Sequence, residues 1–219
     1  MSCVVRTYAR QTSAWCHVGI VLLIVAVAPD AHGELPELNA LVVAGENEAL
    51  RAALATETKT LDELGAALMA AAGVNNSEAA SILLNAGAPV DHDLIMRTPL
   101  IIAVTEGGYQ VAGTLLQAGA NPNYMSSFDW RPLHYTMKIE NSYDDLMFLL
   151  IHFGADIDAQ TNLGVTPLHR AAGFCHGSAV KILVQYGANL AITEKYGRTA
   201  AQRAIEAGCP EVADLIRLQ

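Results

Sequence analysis

Residues 166–172 read Thr-Pro-Leu-His-Arg-Ala-Ala, and eight residues later comes Val180-Lys181-Ile182-Leu183-Val184-Gln185-Tyr186-Gly187-Ala188. Thr before Pro suits a helix start, because Pro at the first helical position has no amide to leave unpaired. The Leu and Ala that follow fall on one helical face. The Gly after the second apolar run suits a helix end, since glycine accepts the left-handed cap without strain. The stretch therefore reads as two short antiparallel helices.

The same pattern recurs along the chain. Thr98-Pro99-Leu100-Ile101-Ile102-Ala103, Arg131-Pro132-Leu133-His134-Tyr135-Thr136 and Thr199-Ala200-Ala201-Gln202-Arg203-Ala204 start 33, 35 and 33 residues apart when taken in register with Thr166. Leu-Leu-Asn-Ala-Gly-Ala (83–88), Leu-Leu-Gln-Ala-Gly-Ala (115–120) and Leu-Ile-His-Phe-Gly-Ala (150–155) run in phase with 183–188. Each is followed by a polar turn holding Asp or Asn: Asp91, Asn121 and Asn123, Asp156 and Asp158, and Asn189. The two-residue excess of the unit starting at Arg131 falls at residues 141–144, where a loop can absorb it.

This pattern resembles the ankyrin repeat in both signature and period. The resemblance implies an all-α solenoid of about six stacked helix-turn-helix units with finger loops between them. Projected backwards, Ala66-Ala67-Leu68-Met69-Ala70-Ala71 aligns with the signature, and residues 36–44 and 48–54 read as a further pair joined at Gly45-Glu46-Asn47. The units fall at approximately 34–60, 61–92, 93–125, 126–160, 161–193 and 194–219. The first and last serve as caps, since a terminal unit must turn one face to water.

Composition agrees with stacked small helices. The 219 residues are 52% hydrophobic but only 6% aromatic, with 13 basic against 22 acidic groups and a net charge of −9. So few Lys and Arg exclude a basic nucleic-acid face, and the apolar content excludes disorder.

Residues 1–33 read as an export signal rather than as part of the fold. Arg6 and Arg10 precede an unbroken apolar run at 18–28, and Ala31-His32-Gly33 offers small residues for a cut before Glu34. The run is short of the roughly 20 residues that a span needs; an uncleaved anchor is the alternative. Export implies a periplasmic home in a bacterium and secretion otherwise, where Asn75-Asn76-Ser77 would be a glycosylation acceptor.

No phosphate loop, nucleophile elbow or zinc spacing is present. The resemblance makes His134 and His169 structural hydrogen-bonding residues, and His92 reads as a solvated finger residue. No catalytic residue, cofactor or metal is expected; a metal-dependent enzyme using the histidines is the rival class. Cys175 and Cys209 lie near the same turn of neighbouring units. Export would permit a bond, but helices standing roughly 8–10 Å apart favour two unpaired thiols over a disulfide.

The resemblance further implies a monomer binding another protein through its fingers and the concave face of its first helices. The positions carried over are Leu94, Ile95 and Arg97, then Phe128, Trp130, Lys138 and Ile139, then Leu163, Val165 and Phe174, and last Tyr196 and Arg198. Four of the scarce aromatics, Phe128, Trp130, Phe174 and Tyr196, fall there as expected surface anchors. By analogy with exported bacterial proteins of this fold, neutralising a secreted toxin and protection against oxidative stress alongside a catalase are two roles to weigh.

Overall fold

The computed structural model describes residues 37–56, 58–138 and 142–218. The expected leader, residues 1–33, and Ile139 lie outside them. The described residues form twelve α-helices in six pairs: α1 Glu37–Ala44 and α2 Asn47–Thr56, α3 Leu61–Gly73 and α4 Ser77–Asn85, α5 Pro99–Glu106 and α6 Tyr109–Gln117, α7 Pro132–Tyr135 and α8 Asp144–His152, α9 Pro167–Gly173 and α10 Gly177–Gln185, α11 Ala200–Glu206 and α12 Pro210–Arg217. The first helices pack in series as one layer, α1 on α3 through to α9 on α11, and the second helices form a parallel layer, α2 on α4 through to α10 on α12. This is the all-α solenoid that the repeats imply, and among the described residues strand pairing is confined to isolated bridges.

Each pair folds for the reasons its sequence gives. Thr98, Thr166 and Thr199 are N-caps whose hydroxyls accept from the backbone N–H of Ile101, His169 and Gln202. In α9 and α11 the third residue returns the bond, completing a capping box. At the far end of α6, Gly119 stands at φ +93°, and the next amide, Ala120 N–H, closes on the Leu115 carbonyl. The core is mostly Ala and Leu, completed by Val, Ile and Met, with Ala71, Ala103, Ala171 and Ala204 buried at the equivalent place of four first helices. A methyl there lets neighbouring pairs approach closely, which explains an apolar chain poor in aromatics.

The fourth pair departs from the pattern. Thr136 replaces the buried Ala, and its hydroxyl donates to the Leu133 carbonyl, a local bond that competes with helix propagation. Helix α7 accordingly stops at Tyr135, and Tyr143 N–H closes onto the Thr136 carbonyl. The carbonyls of Met137 and Lys138 are thereby released from helical bonding. Arg170 donates Nε–H and Nη2–H to Met137 O at 3.1 and 2.8 Å, and His176 Nε2 bonds Lys138 O. The fifth pair thus satisfies what the fourth leaves open.

The last two pairs are covalently joined. Cys175 and Cys209 form a disulfide with Cα atoms 5.8 Å apart, which corrects the expectation of two free thiols. The 8–10 Å spacing applies to the axes of packed helices, whereas these cysteines lie in the turns beyond the helix ends. Cys175 follows α9 at φ +62° and Cys209 is the N-cap of α12, one register position further on.

Candidate functional site

The fingers are short hairpin turns whose tips are held by backbone bonds within and between units. Leu94 and Arg97 exchange both backbone hydrogen bonds around Ile95-Met96, and in the next three fingers the amides of Ser126, Thr161 and Glu194 donate to the carbonyls of Trp130, Val165 and Arg198. Adjacent tips are stitched as well: Asn162 N–H donates to Phe128 O at 3.1 Å, and Lys195 N–H to Leu163 O at 2.9 Å. Phe128, Leu163 and Tyr196 are therefore set in a row by the main chain.

Behind the tips runs a polar ladder built from the Asp and Asn turns. The Asp91 carboxylate accepts from Asn121 N–H, Asn123 Oδ1 from Asp156 N–H, and Asp158 Oδ1 from Asn189 N–H. These acceptors recur three residues after each Gly-Ala, and the series ends where Ala191 takes the place.

The histidines do the structural work that the resemblance implies. His134 Nδ1 accepts from Arg131 N–H, and its Nε2 lies 3.1 Å from Val165 O; His169 Nδ1 pairs with Thr166, and its Nε2 lies 3.0 Å from Arg198 O. Both rings are thus neutral Nε2–H tautomers tying a first helix to the next finger. Burial pushes the His134 imidazole down to about 4, against the partial compensation of its bond to Val165, and holds His169 below its ordinary value in the same way. Ile101 and Gln202 interrupt the series: Ile101 is buried, and Gln202 only caps its own helix. His92 is not the solvated residue expected. Its ring is half-buried against α3 and fills the space that a Cβ at Gly65 would occupy. No group of three or more His, Cys, Asp or Glu able to hold a metal occurs among the described residues.

The candidate surface residues divide into two sets. Ile95, Phe128, Leu163 and Tyr196 project outward from four successive tips, with 86%, 72%, 41% and 69% of their surface exposed. Trp130 and Phe174 do not. Both are half-buried, and their rings both lie against the Arg170 guanidinium, at 4.3 and 4.8 Å, with Tyr135 packed on Trp130 at 5.2 Å. These two anchors are spent on their own array, since a guanidinium and an aromatic face attract. Leu94 and Val165 are also half-buried, Arg97 is exposed, and Lys138 lies over the Tyr143 ring. Arg198 is taken by Glu194 and Glu206 at 2.5 and 2.6 Å.

Two tips hold residues where glycine would be expected. Ile95 and Met96 stand at φ +56° and +57°, and Phe128 and Asp129 at +61° and +60°, whereas the matching tips have Gly164 and Gly197 at positive φ. Side chains in the left-handed region cost roughly 1–2 kcal/mol each, and a β-branched residue is the least suited. Between these two tips lies an open groove of about 380 Å³ lined by Met96, Arg97, Ser127, Phe128, Trp130 and Tyr135.

The model of the family described as "Ankyrin repeats (3 copies)" matches residues 23–126 and 133–218. The chain belongs to the ankyrin-repeat family. Similar proteins include the putative ankyrin repeat protein YahD of Escherichia coli (strain K12), 26% identical over 172 residues, an alignment covering 75% of this chain and 85% of that protein. Diacylglycerol kinase iota of Mus musculus is 35% identical over 107 residues, 48% of this chain. SH3 and multiple ankyrin repeat domains protein 2 of Homo sapiens is 28% identical over 136 residues, again 48% of this chain. The alignments span only 9% and 7% of those two large proteins. Ankyrin repeats point to a protein–protein interaction scaffold.

Proposed function

We propose that this ankyrin-repeat protein is a non-enzymatic, exported scaffold that captures a protein partner on its fingers and first-helix face. The observation that carries the reading is the row of apolar side chains at four successive tips, two of them kept in a backbone conformation that costs free energy. Exposed contiguous apolar surface marks contact sites, and local strain retained at a surface motivates a functional hypothesis. Tips stitched by main-chain bonds are pre-organised, which lowers the ordering cost of association.

Two features support export: the apolar run and small-residue site in residues 1–33, and the Cys175–Cys209 disulfide, a bond that persists in oxidising compartments. Affinity capture from the source organism's envelope fraction tests the scaffold, comparing the wild type with a Phe128→Ser, Tyr196→Ser variant. One stoichiometric protein retained by the wild type and lost by an equally stable variant is the expected result. Equal retention by both would remove the tips from the binding surface.

A further inference from the structure

The part-buried guanidiniums of Arg170 and Arg203 are not neutralised from within this acidic chain. Arg51 pairs with Glu48 and Glu78, Arg131 with Asp156, and Arg198 with Glu194 and Glu206. Arg97 and Arg217 are exposed. Arg170 and Arg203 are half-buried, yet among the described residues neither has a carboxylate within ion-pair distance. The carboxylate of Glu194, which does feel Arg203, is bonded to Arg198. With 22 acidic residues against 13 basic ones, counter-ions were available. Taking a charge out of water without one is costly.

The geometry of Arg170 is that of a held fork. Its Nε–H and one Nη2–H go to the Met137 carbonyl, and the Trp130 and Phe174 rings lie 4.3 and 4.8 Å from its central carbon. A guanidinium has five N–H donors, so three are left. Nη1 has no partner among the described residues, and it is not sealed from solvent. Arg203 lies alongside: a Cβ placed on Gly173 would meet its Nε and Nη2 at 3.4 Å. Burial, with a smaller contribution from repulsion by Arg203, brings Arg170 down to about 10, still charged at neutral pH. Two positive groups thus lie near each other on adjacent first helices, one of them immobilised with its free edge unsatisfied.

We infer that Arg170 and Arg203 form a carboxylate-binding site for an Asp or Glu side chain, or a chain terminus, of the protein partner. The inference rests on the scaffold reading above and names the chemistry that the partner presents. A planar guanidinium recognises a carboxylate through two parallel N–H bonds, and charge-assisted bonds of this kind are about twice as strong as neutral ones. The apolar side chains of Leu163 and Tyr196 stand at the tips of the same two units, so the fitting segment carries an acidic residue flanked by apolar ones. The net charge of −9 opposes a polyanion such as nucleic acid or an anionic bilayer far more than it opposes one local carboxylate.

Phage display of random 12-residue peptides against the full chain tests this. Selection on the wild type is expected to enrich Asp and Glu, and selection on Arg170→Gln, Arg203→Gln is expected to abolish that enrichment. A synthesised wild-type binder should lose roughly tenfold or more in affinity when its acidic residue becomes the amide, and should bind Arg170→Lys, which keeps the charge but not the fork, nearly as poorly. Arg203→Gln alone, which leaves the Arg170 fork in place, gives an intermediate loss, and thermal melts establish that each variant is folded. Binders that ignore all three substitutions would overturn the carboxylate site while leaving the scaffold standing. Absence of any binder sensitive to the fingers or first helices would count against both. Phosphatidylglycerol vesicles and a single-stranded oligonucleotide run alongside; preferential binding of either, lost in Arg170→Gln, would assign the site to a different anion.

Discussion

The Arg170 guanidinium lies 4.3 Å over the Trp130 ring while donating to the Met137 carbonyl, so one side chain joins the fourth and fifth repeats by stacking and by hydrogen bonding. It repairs the place where α7 ends after a single turn. Trp130 is consequently a structural residue as much as a surface one, and Phe128, two positions earlier, is the reverse.

That contrast gives the first prediction. Trp130→Ala should cost about 2 kcal/mol, from lost ring burial and lost cation–π attraction. Phe128→Ala should stay within about 0.5 kcal/mol of wild type. Urea midpoints measure both, and equal losses would mean that the two rings share one environment.

Reduction of the disulfide gives the second. Crosslinking residues 34 apart restricts the unfolded chain by about 3–4 kcal/mol in the loop-entropy picture. Melts with and without reductant should differ by roughly 6–16 °C for a domain of this size. A denatured thiol titration should find these two sulfurs reactive only after reduction; identical melts and two freely titrating thiols would refute the bond.

Acid should weaken the array before the carboxylates titrate. Burial depresses both His134 and His169 in the folded state, so the folded protein keeps them neutral while the unfolded chain takes up protons below about pH 6.5. Stability is therefore full above that value and falls as the pH drops toward the depressed folded pKa values. From pH 7.5 to 5, His134 alone should account for on the order of 2 kcal/mol. His134→Gln should flatten that dependence in urea titrations, and an unchanged slope would mean that the ring is not held neutral.

The strained tip yields a prediction of opposite sign. Replacing Ile95-Met96 by Asn-Gly, the pair best suited to a two-residue turn with both residues at positive φ, should stabilise the fold by roughly 1–2 kcal/mol. Denaturant midpoints check this, and a destabilised variant would show that these side chains contribute packing that outweighs their backbone cost.

Much of the fold was legible because packing repeats: Thr-Pro starts, Ala contacts and Gly ends return about every 33 residues, and each has a local cause. The shortened α7 was visible only as a two-residue excess, since the competing Thr136 hydroxyl bond is a tertiary choice. The disulfide escapes a helix-spacing argument because the 8–10 Å between packed axes does not apply to residues in turns. Of the surface aromatics, Phe128 and Tyr196 lie where the register places them. Trp130 and Phe174 turn inward because Arg170, a residue that the repeat signature leaves free to vary, gives them something to stack on. No periodicity announces that clasp, nor the left-handed Ile95 and Phe128.

The central claim, a partner held on the fingers, is tested most directly by site-specific photo-crosslinking in the native envelope. Benzoylphenylalanine placed singly at positions 128, 163 and 196 should give adducts with one and the same protein. The same group at Gln185, exposed at the end of the outer helix α10, should give none. Adducts that form from position 185 and not from the three tips would contradict the account.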